Sequence, residues 1–300
     1  MDRPLIEGPP VLNEGKYCVQ TIRQLVPLRN ALAIYRAEGE RIALVPTMGA
    51  LHAGHIALVD AAKLVADKVI VTIFVNPKQF GPLEDLARYP RRELADARML
   101  AESGCALLWM PSRAEMYPEG FATNITVADV SEQMDGAARP GHFDGVATVV
   151  AKLFNQVCPD VAVFGEKDFQ QLAVIRRMTL DLDFRTEIIG VPTQREDDGL
   201  AMSSRNAYLT GADRARAVAL PRALGEAARA LGNGADVTAV LASAREALLI
   251  GGFDSVDYVE LVDAETLQSA VVPGRPARLL AAAHLGGTRL IDNIAITISK

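Results

Sequence analysis

The sequence predicts an α/β fold, a parallel sheet with helices on both faces, plus a smaller C-terminal α+β domain. Three observations carry this reading. Short apolar, β-branched runs alternate with segments of helical periodicity through residue 193. The pattern then changes to a polar loop, an Ala-rich helical stretch and three strand-like runs. Each cluster of chemically versatile side chains also follows an apolar run, at the strand ends where open parallel sheets bind ligands.

Residues 1–17 read as an N-terminal arm outside the fold, and their start lacks the apolar core of a secretion signal. Residues 18–193 form the first domain. Arg41–Val45 reads as a buried strand that turns into a helix over 56–66. Further strands are expected at Val69–Val75, Cys105–Met110, Val161–Phe164 and Glu187–Val191. Helices are expected over 92–103, 144–157 and 168–180. Residues 194–300 form the second domain, a lid hinged to the first. It contains a polar loop at 194–207 and helical residues 212–249, broken at Gly232-Asn-Gly234. Strands follow at Val256–Val262, Arg278–Ala283 and Thr288–Ile296, with Gly286-Gly287 marking a tight hairpin.

Half of the 300 residues are hydrophobic, enough for a sizeable core. Net charge is −6 and there is no Lys/Arg run, which argues against a nucleic-acid or anionic-membrane partner. No stretch approaches membrane-spanning length. A site for anions must therefore concentrate basic groups locally. Cys18, Cys105 and Cys158 are odd in number and far apart, so they read as reduced thiols in a cytoplasmic setting, without metal-ligand spacing.

The most informative segment is Val45-Pro-Thr-Met-Gly-Ala-Leu-His-Ala-Gly-His55. It places two of the four histidines, three residues apart, where a strand becomes a helix. The free N–H groups and positive dipole of a helix start attract phosphate. Imidazoles mounted there can donate to oxygen gaining charge at a reacting phosphorus. The plainer alternative is an incidental polar face or a cap.

Phe164-Gly-Glu-Lys-Asp-Phe-Gln-Gln171 opens another helix after another strand. Lys167 brings a positive charge that opposes the helix dipole and so needs another reason to be there. Asp168 can bind a ribose hydroxyl or orient the lysine, and the Gln171 amide both donates and accepts. Met202-Ser-Ser-Arg-Asn206 lies in the polar loop. Its two hydroxyls and guanidinium can clamp a triphosphate, or form an ordinary turn. Phe74-Val-Asn-Pro-Lys-Gln-Phe-Gly81 ends a strand and directs Gln79 to the same edge, unless it is only an Asn-Pro turn. Arg139-Pro-Gly-His-Phe-Asp-Gly145 either lines or only shapes the site. A P-loop, a Gly-x-Ser-x-Gly elbow and a zinc-type His/Cys cluster are all missing.

Met48-Gly-Ala-Leu-His-Ala-Gly-His55, Phe74-Val-Asn-Pro-Lys-Gln-Phe80, Gly165-Glu-Lys-Asp168 with Gln171, and Met202-Ser-Ser-Arg205 together resemble the pantoate–β-alanine ligase family. Arg139-Pro-Gly-His-Phe143 and Thr288-Arg-Leu-Ile-Asp-Asn293 are also similar to it, and the likeness spans about residues 20–297 in order. The resemblance implies a Rossmann-like first domain and an ATP-dependent, AMP-forming ligase. It implies pantoate, β-alanine and ATP as small-molecule partners, Mg2+ with the ATP, and a cytoplasmic homodimer.

It further implies His55 as the catalytic histidine, with His52, Lys167 and Arg205 sharing the phosphoryl chemistry. Met48, Gly49, His52, His55, Gly165, Glu166, Lys167, Asp168, Gln194, Met202, Ser203, Ser204 and Arg205 would hold ATP. Gln79 and Gln171 would hold pantoate. Two departures stand out. Ala53 replaces a common Glu, and the acidic stretch after Tyr89-Pro-Arg91 is reduced to Glu93 and Asp96, so no magnesium ligand is assigned. An alternative is a His-x-Gly-His nucleotidyltransferase that passes AMP to a phosphate ester and stops there. A third is a nucleotide-binding protein without catalysis, which the intact His52, His55, Lys167 and Arg205 disfavour.

Overall fold

Six parallel strands, β1 (Gln20–Ile22), β2 (Ile42–Thr47), β3 (Lys68–Ile73), β4 (Leu107–Trp109), β5 (Val161–Gly165) and β6 (Glu187–Val191), form the first sheet in the order β1-β4-β3-β2-β5-β6. They come from a computed structural model that describes residues 19–82, 84–269 and 274–297. The expected arm at 1–17 lies outside the described residues, as does Cys18.

Helices α1 (Leu25–Ala37), α2 (Ala53–Lys63), α3 (Glu93–Glu102), α4 (Arg113–Met116), α5 (Asp135–Ala138), α6 (His142–Val157) and α7 (Phe169–Asp181) complete this half. Successive strand residues point to opposite faces. Ile42 and Leu44 of β2 therefore join Leu28, Leu32, Phe154 and Ile175 from α1, α6 and α7. Ala43 and Val45 join Leu58, Val59 and Leu100 from α2 and α3. This alternation is what places helices on both faces.

The strand order reverses between β2 and β5, and there the two strands part. Their pairing covers only Ala43↔Val161 and Leu44↔Ala162. By contrast, β2 pairs with β3 to Thr47↔Ile73, and β5 with β6 to Gly165↔Val191. Pro46, with no N–H to donate, stands beyond the last β2–β5 pair. The parted ends make the crevice that doubly wound sheets use for ligands.

The second half holds α8 (Gly211–Ala217), α9 (Ala219–Gly232) and α10 (Val237–Ile250) against the antiparallel sheet β7 (Ser255–Asp263), β8 (Pro276–Leu285) and β9 (Thr288–Thr297). Gly286 and Gly287, at φ 57° and 72°, form the expected hairpin turn. Met134 and Phe169 of the first half pack on Tyr258, Val262 and Leu280 of this sheet. Ion pairs reinforce the contact, with Arg289 reaching Asp135 and Arg278 reaching Glu166.

Four elements escape the sequence reading, β1, α1 and the single-turn helices α4 and α5. Three residues on an edge carry too little alternation to register. In α1, Val26 and Ile34 are exposed apolar residues that blur its helical period. The helix expected at 56–66 begins earlier, at Ala53, because His52 caps it.

Candidate active site

The crevice between β2 and β5 opens into a cavity of about 230 Å3. Thirteen of the fifteen residues singled out from the sequence line it: Met48, His52, His55, Gln79, Gly165, Lys167, Asp168, Gln171, Gln194, Met202, Ser203, Ser204 and Arg205. Gly49 and Glu166 do not. Gly49, at φ +84°, makes the turn after β2, and a Cβ there would meet Ile73 Cγ2 at 3.0 Å. Glu166 turns instead to Arg278, 2.8 Å away.

The two histidines close the first turn of α2 as a capping box. His52 Nδ1 accepts from the Gly54 N–H at 3.2 Å, and His55 Nδ1 accepts from the His52 N–H at 3.3 Å. An accepting Nδ1 carries no proton, so each neutral ring keeps its proton on Nε2. The ring centroids lie 4.1 Å apart. Burial, then the nearby Lys167, lowers His52 to about 4. Burial, then His52 and Lys167, lowers His55 to about 3. At neutral pH the pair is therefore uncharged and offers two N–H donors.

Gly54 is needed between them. A Cβ there would stand 2.9 Å from both Cε1 and Nδ1 of His52. Gly54→Ala must push that ring out of its cap. Turnover is expected to fall about 10²-fold, the usual cost of displacing a reacting-site group by ~1 Å. Steady-state kinetics beside a circular dichroism spectrum checks this; a folded, fully active Gly54→Ala contradicts the fitted ring position. Ala53, by contrast, is exposed.

Gln79 is held from several sides. Asn76, 1% exposed, donates from Nδ2 to Gln79 Oε1 at 3.0 Å, and Tyr117 Oη donates to Asn76 Oδ1 at 2.8 Å. The Gln79 amide therefore presents its NH2 end, which reaches Met48 Sδ at 3.0 Å. The Gln79 carbonyl takes His142 Nδ1–H at 2.8 Å, while His142 Nε2 accepts from Arg139 at 3.0 Å. Burial, then Arg139, lowers His142 to about 4, so this ring too is neutral. Arg139 forks onto Glu84 at 2.7 and 2.6 Å. The Arg139–Phe143 segment thus both lines the cavity and shapes it.

Adjacent glutamines divide their work. Gln170 is 2% exposed and pins the 130–135 loop through Val130 O, Gln133 O and the Asp135 N–H. Gln171 lines the cavity and makes no side-chain hydrogen bond among the described residues.

The cations are mostly committed. Arg205 forks onto Asp85 at 3.0 and 2.9 Å. Lys167 has no ion pair or hydrogen bond on its ammonium among the described residues. Ser204 Oγ donates to Ala50 O at 3.1 Å, joining the 202–205 loop to the turn before α2.

Of the carboxylates, Asp96 is 2% exposed and accepts the Ala50 and Leu51 N–H groups at 2.8 and 2.9 Å. It shapes the turn. Glu93 pairs with Arg23. Among the described residues no cluster of three His, Cys, Asp or Glu side chains stands ready for a metal. Among them, too, Asp168 is the one carboxylate on the cavity wall.

The profile of the pantoate–β-alanine ligase family matches residues 20–295 of this chain. The chain belongs to that family. It is 63% identical, over 93% of its own length and 99% of the relative's, to the pantothenate synthetase of Rhizorhabdus wittichii. It is 59% identical, over 93% and 100%, to that of Sphingopyxis alaskensis. Its fold is similar to the crystal structure of pantothenate synthetase from Thermus thermophilus, with TM-score 0.86 and 47% identity over 92% of this chain and 99% of that one. It is also similar to the Francisella tularensis pantoate–β-alanine ligase complexed with β,γ-ATP and β-alanine, with TM-score 0.78 and 33% identity over 92% and 97%. As a pantoate–β-alanine ligase, the chain is an enzyme that joins those two substrates.

Sequence reasoning named the side chains on the cavity wall but not their supports. Asp85 and Tyr117 act through contacts distant in sequence, whereas Asn76 reaches Gln79 three residues on. Asn76 alone had a local signal, as the residue before Pro77 at the end of a strand.

Proposed function

We propose that this cavity condenses (R)-pantoate with β-alanine in two steps at the expense of ATP. In the first, pantoate's carboxylate oxygen bonds to the α-phosphorus and the bond to pyrophosphate breaks. In the second, the amine of β-alanine attacks the acyl carbon of pantoyl adenylate and AMP leaves, giving pantothenate.

One observation supports this best. A single cavity brings phosphate-directed groups together with amides and apolar side chains. The first are the Nε2–H donors of His52 and His55, the Lys167 ammonium and the hydroxyls of Ser203 and Ser204. The others are Gln79, Gln171, Val146, Leu153 and Phe164. Pantoate needs both kinds of wall, amides for its carboxylate and hydroxyls and an apolar patch for its geminal methyls.

The His pair donates to α-phosphate oxygens as charge gathers there, and Lys167 offsets the repulsion between two anions. His52, His55, Met48, Gly165, Lys167, Asp168, Gln194, Met202, Ser203, Ser204 and Arg205 hold ATP. Gln79 and Gln171 hold pantoate. Neutral amides do this without diverting positive charge from the phosphates. The C-terminal domain supplies the 194–205 wall and shields the adenylate from water.

Magnesium enters as part of the nucleotide. A lone Asp168 fits that better than a resident site, since Mg2+ usually takes one or two carboxylates plus substrate phosphates. Family resemblance and the acidic net charge support a cytoplasmic homodimer that binds no nucleic acid.

Pantoate labelled with 18O in its carboxylate tests the route, and one labelled oxygen should appear in AMP. Label confined to pantothenate, or a stable adenylylated product without amide, contradicts it.

A further inference from the structure

The segment Thr288-Arg-Leu-Ile-Asp-Asn293 has no part in the chemistry above, yet two of its residues are the least exposed polar groups of β9. Asp292 is 2% exposed and Asn293 is 3% exposed. Asn293 Nδ2 donates to Glu166 O at 2.9 Å and to Lys167 O at 2.8 Å. Its Oδ1 accepts from Arg278 Nε at 2.6 Å. These partners define the amide, because turning it over would set NH2 against a guanidinium donor and an oxygen against two carbonyls. The contact crosses from the C-terminal sheet to the turn after β5.

That turn is short. Glu166–Asp168 is a single 3-10 turn between β5 and α7, and Lys167 sits in its middle. Asn293 grips the carbonyls of Glu166 and Lys167 themselves. Arg278 adds a second hold through Glu166 Oε2 at 2.8 Å and stacks 4.2 Å over the Phe169 ring. Asp292 anchors the strand in turn, taking both arms of Arg195 at 2.7 and 2.9 Å. Arg195 also donates to Asn293 O at 3.2 Å.

We propose that Asn293 is a positioning residue for adenylation, holding the Glu166–Lys167 backbone from the second domain and so setting where the Lys167 ammonium stands. This rests on the proposed function, in which Lys167 serves the first half-reaction. A buried amide with all of its bonds made to backbone and Arg278 touches no substrate itself; it acts through the lysine.

A double-mutant cycle on the first half-reaction tests this, reading pantoyl adenylate formation in a single turnover. Asn293→Ala should slow it by about 10²-fold. In a Lys167→Met background the same change should cost less than about 2-fold, since the group being positioned is gone. Supplied with pantoyl adenylate, Asn293→Ala should transfer to β-alanine at the unaltered rate. Asn293→Ser, smaller and with one donor left, runs through the same cycle in case Asn293→Ala folds poorly. Equal losses in both Lys167 backgrounds, or equal losses in both half-reactions, overturn the inference, as does an unaltered first half-reaction. If Lys167→Met alone leaves adenylation unchanged, it is the proposed function that fails instead.

Discussion

His55→Gln is expected to lower turnover by about 10²–10⁴-fold with little change in thermal stability. The two effects separate because His55 has two jobs. Its Nδ1 accepts the His52 N–H and completes the cap of α2. Gln is a natural third residue of a capping box and can take over that bond through its oxygen. It cannot place an imidazole Nε2–H in the cavity. His55→Ala loses both jobs and should add a cost of about 1 kcal/mol to unfolding. Steady-state kinetics beside thermal unfolding reads the two separately. A folded His55→Gln with full turnover would remove this ring from the chemistry.

The same geometry fixes a pH profile. kcat/KM reports groups of the enzyme before substrate binds. With His52 lowered to about 4 and His55 to about 3, neither ring gains its proton between pH 5 and 8. Protonation would cost the pair its Nδ1 acceptors, so activity is lost as pH falls toward 4. An acid limb centred at ~6.5, the ordinary histidine value, that disappears in His55→Gln would contradict neutral donors.

The fold was legible where burial is complete. Strands β2, β3, β4 and β5 are apolar runs because helices cover both faces of the sheet. The edge strand β1 is short and half exposed, and nothing in its sequence demands a strand. The cavity wall was legible for a related reason. Ligand-facing groups sit just beyond strand ends, so a motif after an apolar run is also a motif at the crevice.

Pairing was not legible. From the sequence, Arg205 was a free fork for a triphosphate, while in the structure Asp85 takes both of its arms. Likewise the sequence shows Asp96 only as one of two acidic residues remaining after Tyr89-Pro-Arg91, with no role assigned, while in the structure it holds the N–H groups of Ala50 and Leu51. A segment shows which charges it carries. Which distant partner neutralises them depends on chain crossings that periodicity does not encode.

That difference decides how much weight falls on Lys167. Three cationic side chains line the cavity, Arg139, Lys167 and Arg205. Arg139 is neutralised by Glu84 and Arg205 by Asp85. The histidines are uncharged. Of the three cationic side chains, Lys167 is left as the uncommitted positive charge among the described residues on the cavity wall. Two unit anions ~4 Å apart repel by about 4 kcal/mol at an effective dielectric near ~20, and one ammonium between them returns a comparable amount.

Lys167→Met, which keeps the length and removes the charge, should therefore slow pantoyl adenylate formation by about 10²–10³-fold. That corresponds to ~3–4 kcal/mol of barrier. The second half-reaction brings a neutral amine to an acyl carbon and has no such repulsion to offset, so its rate should hold. Rapid-quench measurement of each half-reaction gives both numbers. Were the loss confined to the amine step, the charge would be acting on the departing AMP, and Arg205 would have to leave Asp85 to serve the first step.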